Sequence, residues 1–202
     1  SLVYDSRDSI FDATRGMYHR LSVENAGGPL GGDNNYLKYT LDASYYLPLI
    51  WKLVLALHGE AGYVHGYDYG VSGFTKVPLD ERFRVGGTDT VRGYRDGVFD
   101  GVRGGSTGGL LKVVTNVELH FPIIGPLKGV TFFDAGNAFE YTRQLFEPPY
   151  MHLNKGVGAG LRLTIPGTVI LIRFDFGYPL DPGAEPNRSQ ELNFHFNIGN
   201  IF

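Results

Sequence analysis

The sequence predicts an all-β protein, an antiparallel transmembrane β-barrel, from the pattern of its last strand, its composition and the lengths of its connections. From Leu192 to Phe202 apolar and polar side chains alternate, as they do on the two faces of a strand. One face carries Leu192, Phe194, Phe196, Ile198 and Phe202, and the other carries Asn193, His195 and Asn197. A tilted strand of about ten residues with one apolar face is typical of a barrel in a bilayer.

The composition favours membrane strands over membrane helices. The 202 residues are 43% hydrophobic and 14% aromatic, with 13 Tyr, 14 Phe and 29 Gly. A membrane-spanning helix needs about 18 or more consecutive apolar residues. The longest apolar stretch, from Leu47 to Leu57, is interrupted by Lys52. In a barrel every second residue faces the lumen, so the hydropathy stays moderate while aromatic residues form interfacial girdles.

Nine extended segments follow one another along the chain. Alternation is clearest from Leu37 to Tyr46, from Leu111 to Phe121 and from Ile170 to Phe176, and it is weaker where Phe132 and Phe133 place aromatic rings on both faces. The expected strands are Leu2 to Asp5, Met17 to Asn25, Tyr36 to Leu47, Leu53 to His65, Leu110 to Phe121, Val130 to Tyr141, Met151 to Ile165, Thr168 to Tyr178 and Glu191 to Phe202.

The connections between these segments alternate between short and long. The short ones are 48–52, 122–129 and 166–167, and the long ones are 26–35, 66–109, 142–150 and 179–190. Outer-membrane barrels have short periplasmic turns and longer external loops. If the C-terminus is periplasmic, every long connection lies outside and every short one inside. A soluble β-sandwich has the same period and is the alternative, but its outer faces would be polar.

The long connection, 66–109, contains a loop with apolar side chains and a distinctive run of glycines. Long loops in compact proteins are usually functional or disordered. Gly86, Gly87 and Gly93 permit a sharp backbone path, so we expect the loop to fold back into the lumen. Arg92 would then need a carboxylate partner, and the lumen-facing Glu118 and Asp134 are the candidates.

Several sequence patterns together resemble the BamA superfamily of outer-membrane barrel assembly and translocation proteins. The hallmark is Gly-Gly-x-x-x-Val-Arg-Gly-Tyr, formed by Gly86, Gly87, Val91, Arg92, Gly93 and Tyr94. The strand after the loop, 117–122, and the Phe-x-Asp-x-Gly strand at 132–136 follow in the family's order. The ending at 194–202 resembles the family's C-terminal assembly signal, and 5–16 resembles a periplasmic turn.

The resemblance implies a 16-stranded barrel of which residues 1–202 would be the C-terminal part. The N-terminal strands and the periplasmic POTRA domains would then be absent from this chain, and the missing signal peptide before Ser1 agrees with a fragment or a processed protein. The loop at about 66–109 would enter the lumen and place Arg92 against Glu118, Asp134 and Gly136 on the barrel wall. The strand with Leu192, Phe194, Phe196, Ile198 and Phe202 would be both the assembly signal and one side of a lateral seam.

The function implied is the folding and insertion of β-barrel proteins into the bacterial outer membrane through this seam. Expected partners are unfolded outer-membrane proteins as clients, outer-membrane lipid, and accessory lipoproteins or periplasmic chaperones. One alternative is a polypeptide translocation or secretion pore of the same superfamily. Another is a small autonomous barrel that serves as a pore or an adhesin, although the long loop would hardly fit inside so narrow a lumen.

Other functional classes are disfavoured by the residues. The formal net charge of −3 gives no broad basic surface for nucleic acid, and the absence of Cys excludes disulfides and thiol chemistry. The six His residues lack metal-ligand spacing. His58 and Glu60 could form an acid/base pair, and Gly86–Gly87 a phosphate cradle, but no nucleophile and no following helix accompany them. We expect no metal, no cofactor and no catalysis.

Overall fold

The described residues form one antiparallel sheet of nine strands, paired in sequence order from β1 to β9. The computed structural model describes residues 1–28, 34–67, 77–99, 108–140, 152–165, 168, 170–181 and 191–198. The strands are β1 Leu2–Asp5, β2 Gly16–Ala26, β3 Tyr36–Pro48, β4 Val54–Gly66, β5 Leu111–Ile124, β6 Leu127–Phe139, β7 Asn154–Thr164, β8 Leu171–Pro179 and β9 Asn193–Ile198. The nine expected segments and their antiparallel meander are confirmed.

One expected connection is wrong in length. The sequence predicts a break from Pro122 to Gly129, but β5 continues to Ile124 and β6 begins at Leu127, so the turn is only Gly125–Pro126. Proline has no backbone N–H to donate to a neighbouring strand, so its presence predicts the end of a strand. Here the ladder accommodates it because the pairing shifts register between Pro122 and Ile124. The connections at 142–150 and 166–167, most of 179–190, and residues 199–202 lie outside the described residues.

The two faces of the sheet differ in chemistry as alternation predicts. The outward face is apolar and exposed, with Leu41, Val117, Leu161 and Phe176 among its residues. The inward face carries buried polar and charged side chains, which are Ser44, His58, Asn116, Glu118, His120, Asp134, Arg162, Arg173, Asp175 and His195. A soluble sandwich would show the reverse, so the face chemistry favours a wall between lipid and a polar interior.

Aromatic side chains cluster at two levels of the outward face. Tyr39 and Tyr63 stack across β3 and β4, with ring centroids 6.5 Å apart. Nearer the other end of β3, Tyr45 packs edge-on against His19, with centroids 4.9 Å apart. Six residues separate Tyr39 from Tyr45, which corresponds to roughly 20 Å along a strand. This spacing fits the pair of aromatic girdles that flank an apolar band about 25 Å tall.

The turns at 6–15, 49–53 and 125–126 meet at one end of the sheet, called here the short-turn end. The connection from β1 to β2 folds inward there: Ala13 packs with Tyr46, Val54 and Ala56. Leu79–Glu81 forms a 3-10 turn, and Ile50–Lys52 forms the tight turn between β3 and β4, with left-handed backbone at Trp51 and Lys52. Within the described part of the chain, no helix is long and apolar enough to span a membrane.

Residues 77–99 form a loop that lies against the inward face, called here the inner loop. An isolated bridge joins Phe83 to Gly109, and a second joins Val85 to Phe99. Val85, Val91, Tyr94 and Phe99 pack with Val114 and Ala138 of the wall. The inner loop therefore has its own apolar core against β5 and β6, which places the polar residues of its tip over the centre of the sheet.

Candidate functional site

The tip of the inner loop turns sharply at three glycines. Gly86, Gly87 and Gly93 have φ values of 116°, 98° and 95°, a region that side chains with a Cβ rarely enter. The Gly86 amide donates to the Thr90 hydroxyl at 2.8 Å and the Gly87 amide to the Val91 carbonyl at 3.0 Å. The Asp96 carboxylate occupies the space where a Gly87 side chain would lie. Both amides are used and an anion is already adjacent, so the phosphate-cradle alternative is wrong.

Arg92 points from the tip into the wall and is 1% exposed. Its guanidinium forms a fork with the Asp134 carboxylate, with Nε to Oδ2 at 2.7 Å and Nη2 to Oδ1 at 2.8 Å. Nη1 donates to Oε1 of Glu118 at 2.5 Å, and the Arg92 backbone amide donates to Asp134 Oδ2 at 3.0 Å. Paired, charge-assisted bonds of this kind fix orientation as well as position.

Further side chains complete a buried ionic cluster around Arg92. The Phe132 ring lies beneath the guanidinium, 3.5 Å from its Cζ to the ring centroid. Asp175 of β8 accepts from Arg92 Nη1 at 3.3 Å and from Arg162 Nη1 at 2.5 Å. Arg162 also reaches Glu118 at 3.3 Å. The cluster therefore joins the inner loop to β5, β6, β7 and β8.

The charges of this cluster balance. Arg92, Arg162 and Arg173 face Glu118, Asp134 and Asp175, and all six side chains are almost fully buried. Burial by itself would lower the pKa of Arg92, but Glu118 and Asp134 raise it above its ordinary value. Arg92 therefore stays charged, and loss of one member would leave an uncompensated charge in the interior.

A chain of hydrogen bonds extends the cluster toward β3. The Asn116 amide nitrogen donates to the Thr90 carbonyl at 2.6 Å and to Asp134 at 2.8 Å, so its oxygen accepts from His58 Nδ1 at 2.9 Å. The other ring nitrogen of His58 faces Asp42 at 3.5 Å. Glu60 instead pairs with Lys112. His58 and Glu60 do share the inward face, but each has a separate partner, so they form no acid/base pair with each other.

Glycines in β7 and β8 let the loop backbone lie directly on the wall. A Cβ added at Gly156 would lie 2.0 Å from the Arg92 carbonyl oxygen, and one at Gly177 would lie 2.5 Å from the Gly93 nitrogen. Gly136 similarly leaves room for the Val91 side chain, 3.0 Å from the ideal Cβ. The Tyr94 hydroxyl donates to the Lys155 carbonyl at 2.8 Å. The wall therefore has a slot shaped for the loop backbone.

The last strand contacts the inner loop through neutral side chains. The Gly93 amide donates to Nε2 of His195 at 3.0 Å, and Asn193 donates to the Gly93 carbonyl at 2.5 Å. Because Nε2 accepts, the neutral ring carries its proton on Nδ1, which faces the Thr88 hydroxyl at 3.2 Å. Asn197 donates to Asp89 at 3.1 Å.

The structure brings most of the residues singled out from the sequence into one site. Gly86, Gly87, Val91, Arg92, Gly93 and Tyr94 form the loop tip, and Glu118, Asp134 and Gly136 form the wall beneath it. Leu192, Phe194, Phe196 and Ile198 lie exposed on the outward face, away from the loop. Phe202 lies outside the described residues.

Sequence reasoning did not assign Phe132, Arg162, Asp175 or His195 to the site. Alternation places Asp175 and His195 on a polar face, and that was the only signal available for them. The alternation is unclear at Phe132, because the adjacent Phe133 places a second aromatic ring on the outward face. The path of the loop across the strands decides which inward residues contact it. The alternation of apolar and polar residues does not predict that path.

Comparison with known proteins agrees with this geometry. The family model of the Omp85 superfamily domain matches residues 1–202. The outer membrane protein assembly factor BamA of Nitratidesulfovibrio vulgaris is 31% identical over 98% of this chain, which corresponds to 24% of that protein. The BamA of Neisseria meningitidis serogroup B is 29% identical over 96% of this chain and 27% of its own length. The chain thus spans about a quarter of these curated relatives.

A solved structure shares the fold. The crystal structure of BamA from Haemophilus ducreyi lacking POTRA domains 1–3 has a TM-score of 0.74 over 96% of this chain and 40% of that one, at 19% sequence identity. The identity is low, so this match supports the fold alone. Because the family model matches all of residues 1–202, the chain belongs to the Omp85 superfamily.

Proposed function

We propose that the chain is the C-terminal part of a BamA-like barrel that folds and inserts β-barrel proteins into the bacterial outer membrane. The observation that carries this is the docked inner loop, in which Arg92 is held by Glu118 and Asp134. Its motif is the hallmark by which the sequence resembles the assembly family, and the curated relatives that cover nearly the whole chain are named as outer membrane protein assembly factors.

The membrane location is supported by the outward face. Phe194, Phe196 and Ile198 are 56%, 50% and 59% exposed, and apolar side chains on the other strands continue this surface. A continuous exposed apolar surface of this kind is typical of an interaction surface and not of the free surface of a soluble protein. Contact with lipid hydrocarbon removes it from water, while the ionic cluster stays on the inward side.

The mechanism we propose uses the edge of β9. β9 is the last strand of the described sheet and pairs with β8, and the family resemblance places the first strand of the barrel at its other edge. An unpaired edge in lipid costs several kcal/mol per group. A seam that is only weakly paired at β9 would therefore accept a client strand by β-augmentation. Client folding supplies the free energy, so no nucleotide is needed.

The proposed partners follow from this mechanism. Unfolded outer-membrane proteins are the clients, and outer-membrane lipid is the medium that receives them. POTRA domains elsewhere in the protein, with accessory lipoproteins or periplasmic chaperones, would deliver the clients. We propose no catalytic residue, because the charged side chains beneath the loop tip, Glu118 and Asp134, bind Arg92 of the docked loop.

The test is client folding by the full-length protein in vesicles. A urea-unfolded outer-membrane barrel is diluted into vesicles with and without the protein, and folded client is measured by its heat-dependent gel mobility and protease protection. We expect faster folding with the protein and slower folding when Arg92→Ala is used. Equal client folding with and without the protein would contradict the assembly function. Release of client into the vesicle lumen would instead support the translocation alternative.

A further inference from the structure

The outward face of β9 contributes little to the register in which β9 pairs with β8. In the structure Phe174 opposes Phe196, and Phe176 opposes Phe194. If β9 moved along β8 by two residues, every side chain would keep its face, and Phe174 and Phe176 would again meet apolar side chains. The aromatic contacts are equally tolerant, because the Phe174 ring centroid lies 5.4 Å from that of Phe196 and 6.4 Å from that of Phe194.

The connection between β8 and β9 is also too long to fix this register. β8 ends at Pro179 and β9 begins at Asn193, whereas only Gly125 and Pro126 separate β5 from β6. A two-residue hairpin turn determines which residues oppose each other, but a connection as long as 180–192 permits alternative pairings. Other contacts must therefore select the observed register.

The inward side chains of β9 do distinguish one register from another, because they bind both backbone groups of Gly93 at the tip of the inner loop. The Gly93 amide donates to Nε2 of His195 at 3.0 Å, and the Asn193 side chain donates to the Gly93 carbonyl at 2.5 Å. The preceding residue, Arg92, is fixed in the ionic cluster, so Gly93 has a set position on the wall. A donor and an acceptor at set positions require an acceptor and a donor at matching positions on β9.

A shift of β9 by two residues in either direction would break this match. In one direction Glu191 would take the place of Asn193, and a carboxylate cannot donate to the Gly93 carbonyl. In the other direction the larger His195 ring would take the place of Asn193. Asn197, whose side-chain oxygen reaches less far than Nε2 of a histidine, would then take the place of His195. The two bonds to Gly93 therefore fit the observed register better than either shifted one.

We propose that Asn193 and His195 are positioning residues that set the register of β9 through the backbone of Gly93. The inference deepens the proposed function and rests on its seam at β9. A strand rises about 3.4 Å per residue, so a shift by two residues moves the edge of β9 by about 7 Å along the strand. A client strand paired with that edge would be displaced by the same distance. The docked inner loop therefore determines the depth in the membrane at which a client strand pairs.

The first experiment measures the register by disulfide formation in the full-length protein, reconstituted in vesicles without client. Phe174→Cys with Phe196→Cys reports the observed register, and Phe174→Cys with Phe194→Cys reports a shifted one. Diagonal positions on paired strands lie about 7–8 Å apart, beyond the usual Cα separation of about 6.8 Å in a disulfide. We expect the ratio of shifted to observed cross-link to rise about ten-fold when Asn193→Ala and His195→Ala are combined, because two hydrogen bonds are lost.

His195→Gln and Asn197→Ala are the matched controls. Glutamine has a side-chain oxygen that can accept from the Gly93 amide, so His195→Gln should keep the wild-type ratio, whereas His195→Ala should raise it. Asn197→Ala removes a polar side chain from the same face of β9 but leaves both bonds to Gly93, so its ratio should stay close to that of the wild type. Folding of each variant is checked by heat-dependent gel mobility, and His195→Ala against His195→Gln decides the question if the double variant does not fold.

Two results would overturn the proposal. One is an unchanged cross-link ratio in folded protein that lacks the side chains of Asn193 and His195, or that of His195 alone. The other is an equal rise in Asn197→Ala, which would mean that the polar face of β9 acts without Gly93. Because no client is present, a shifted register in a protein that does not fold clients would support this proposal and contradict only the proposed function.

A second measurement connects the register to client folding. Oxidation of the cysteine pair at 174 and 196, in the variant that combines Asn193→Ala and His195→Ala, locks the observed register without restoring the bonds to Gly93. We expect slow client folding by the reduced variant, and recovery after oxidation to the rate of the same cysteine pair with Asn193 and His195 intact. Client folding that stays slow after oxidation would contradict the role of the register in pairing clients.

Discussion

The inner loop is bound differently by two parts of the same wall. Toward β5–β8 it is bound by ion pairs. The Arg92 guanidinium lies within 3.3 Å of carboxylate oxygens of Glu118, Asp134 and Asp175, and all four side chains are nearly inaccessible to solvent. Toward β9 it is held by hydrogen bonds to the uncharged side chains of Asn193, His195 and Asn197, and the bond from Asn197 goes to the exposed carboxylate of Asp89. Bonds between charged groups contribute roughly 1.5–3 kcal/mol each, and neutral ones about 0.5–1.5 kcal/mol.

The difference indicates which parts of the wall can move independently. In the described residues, β9 meets the inner loop through uncharged side chains, whereas β5–β8 meet it through the buried ionic cluster. Contacts of uncharged side chains can be broken at lower cost, so we expect β9 to separate from the loop while the loop and β5–β8 stay together. The seam proposed at β9 therefore needs no rearrangement of the ionic cluster.

The largest effect should follow from Arg92→Ala. Removal of the guanidinium leaves Glu118 and Asp134 buried without their main partner, which destabilises loop docking by roughly 3–5 kcal/mol. We expect rapid cleavage of the inner loop by protease and impaired barrel assembly in the full-length protein. Arg92→Lys, which keeps the charge but loses the fork, should be intermediate. Unchanged protease resistance together with normal client insertion would refute the role of Arg92.

Gly156→Ala breaks the same contact from the side of the wall. The added Cβ would lie 2.0 Å from the Arg92 carbonyl oxygen, so loop or strand must shift. We expect destabilisation of about 3 kcal/mol, near the upper end of the effects of overpacking. It would be measured as a decrease in the temperature at which the protein loses the gel mobility of its folded form. Gly59→Ala is the matched control, because nothing lies within 4 Å of its added Cβ. Equal effects of the two variants would show that strand glycines act without the loop.

His195→Ala tests the weaker side of the comparison. It removes the acceptor of the Gly93 amide and should cost about 1–2 kcal/mol. Hydrogen exchange at Gly93 measures this directly, and protection should fall while protection in β6 and β7 is kept. Asn197→Ala, which loses one exposed bond to Asp89, should cost less than about 1 kcal/mol. If His195→Ala destabilised the ionic cluster as much as Arg92→Ala, β9 would not be separable from the rest.

Deletion of Phe202 should have the smallest effect on the folded barrel. As the last residue of the expected assembly signal, Phe202 is predicted to act while the protein itself is inserted. We expect slower insertion of this protein in cells with little change in the heat stability of the folded fraction. An equal yield of folded protein with and without Phe202 would contradict its role as a signal.

Much of the wall could be predicted from the sequence because alternation has a single physical meaning in a sheet with two different faces. The inward Asn116, Glu118 and His120 and the outward Phe194, Phe196 and Ile198 all lie where the pattern predicts. The contacts of Arg92 with Glu118 and Asp134 were also expected, because a buried guanidinium requires carboxylates. The wrong connection at 122–129 shows that a proline next to a register shift misleads this reasoning.

The remaining contacts depend on three-dimensional register. Asp175 is 83 positions from Arg92 along the chain and contacts it from β8, and Arg162 of β7 reaches the same carboxylate only because β7 and β8 are paired in one particular register. Phe132 reaches Arg92 through the path of the loop across β6. The register has no local sequence signal, and Phe132, although it begins the Phe-x-Asp-x-Gly pattern, contacts Arg92 only because of the path of the loop, so the sequence alone does not identify these contacts.

The balanced charges of the cluster restrict how this interior can change during evolution. Any single replacement among Arg92, Arg162, Arg173, Glu118, Asp134 and Asp175 that alters charge leaves the interior with a net positive or negative group. Tolerated changes are therefore compensated ones, in which a cation and an anion are lost or exchanged together. Across related proteins, these positions should vary as a group, whereas lipid-facing positions such as Leu161 and Phe176 should vary one at a time.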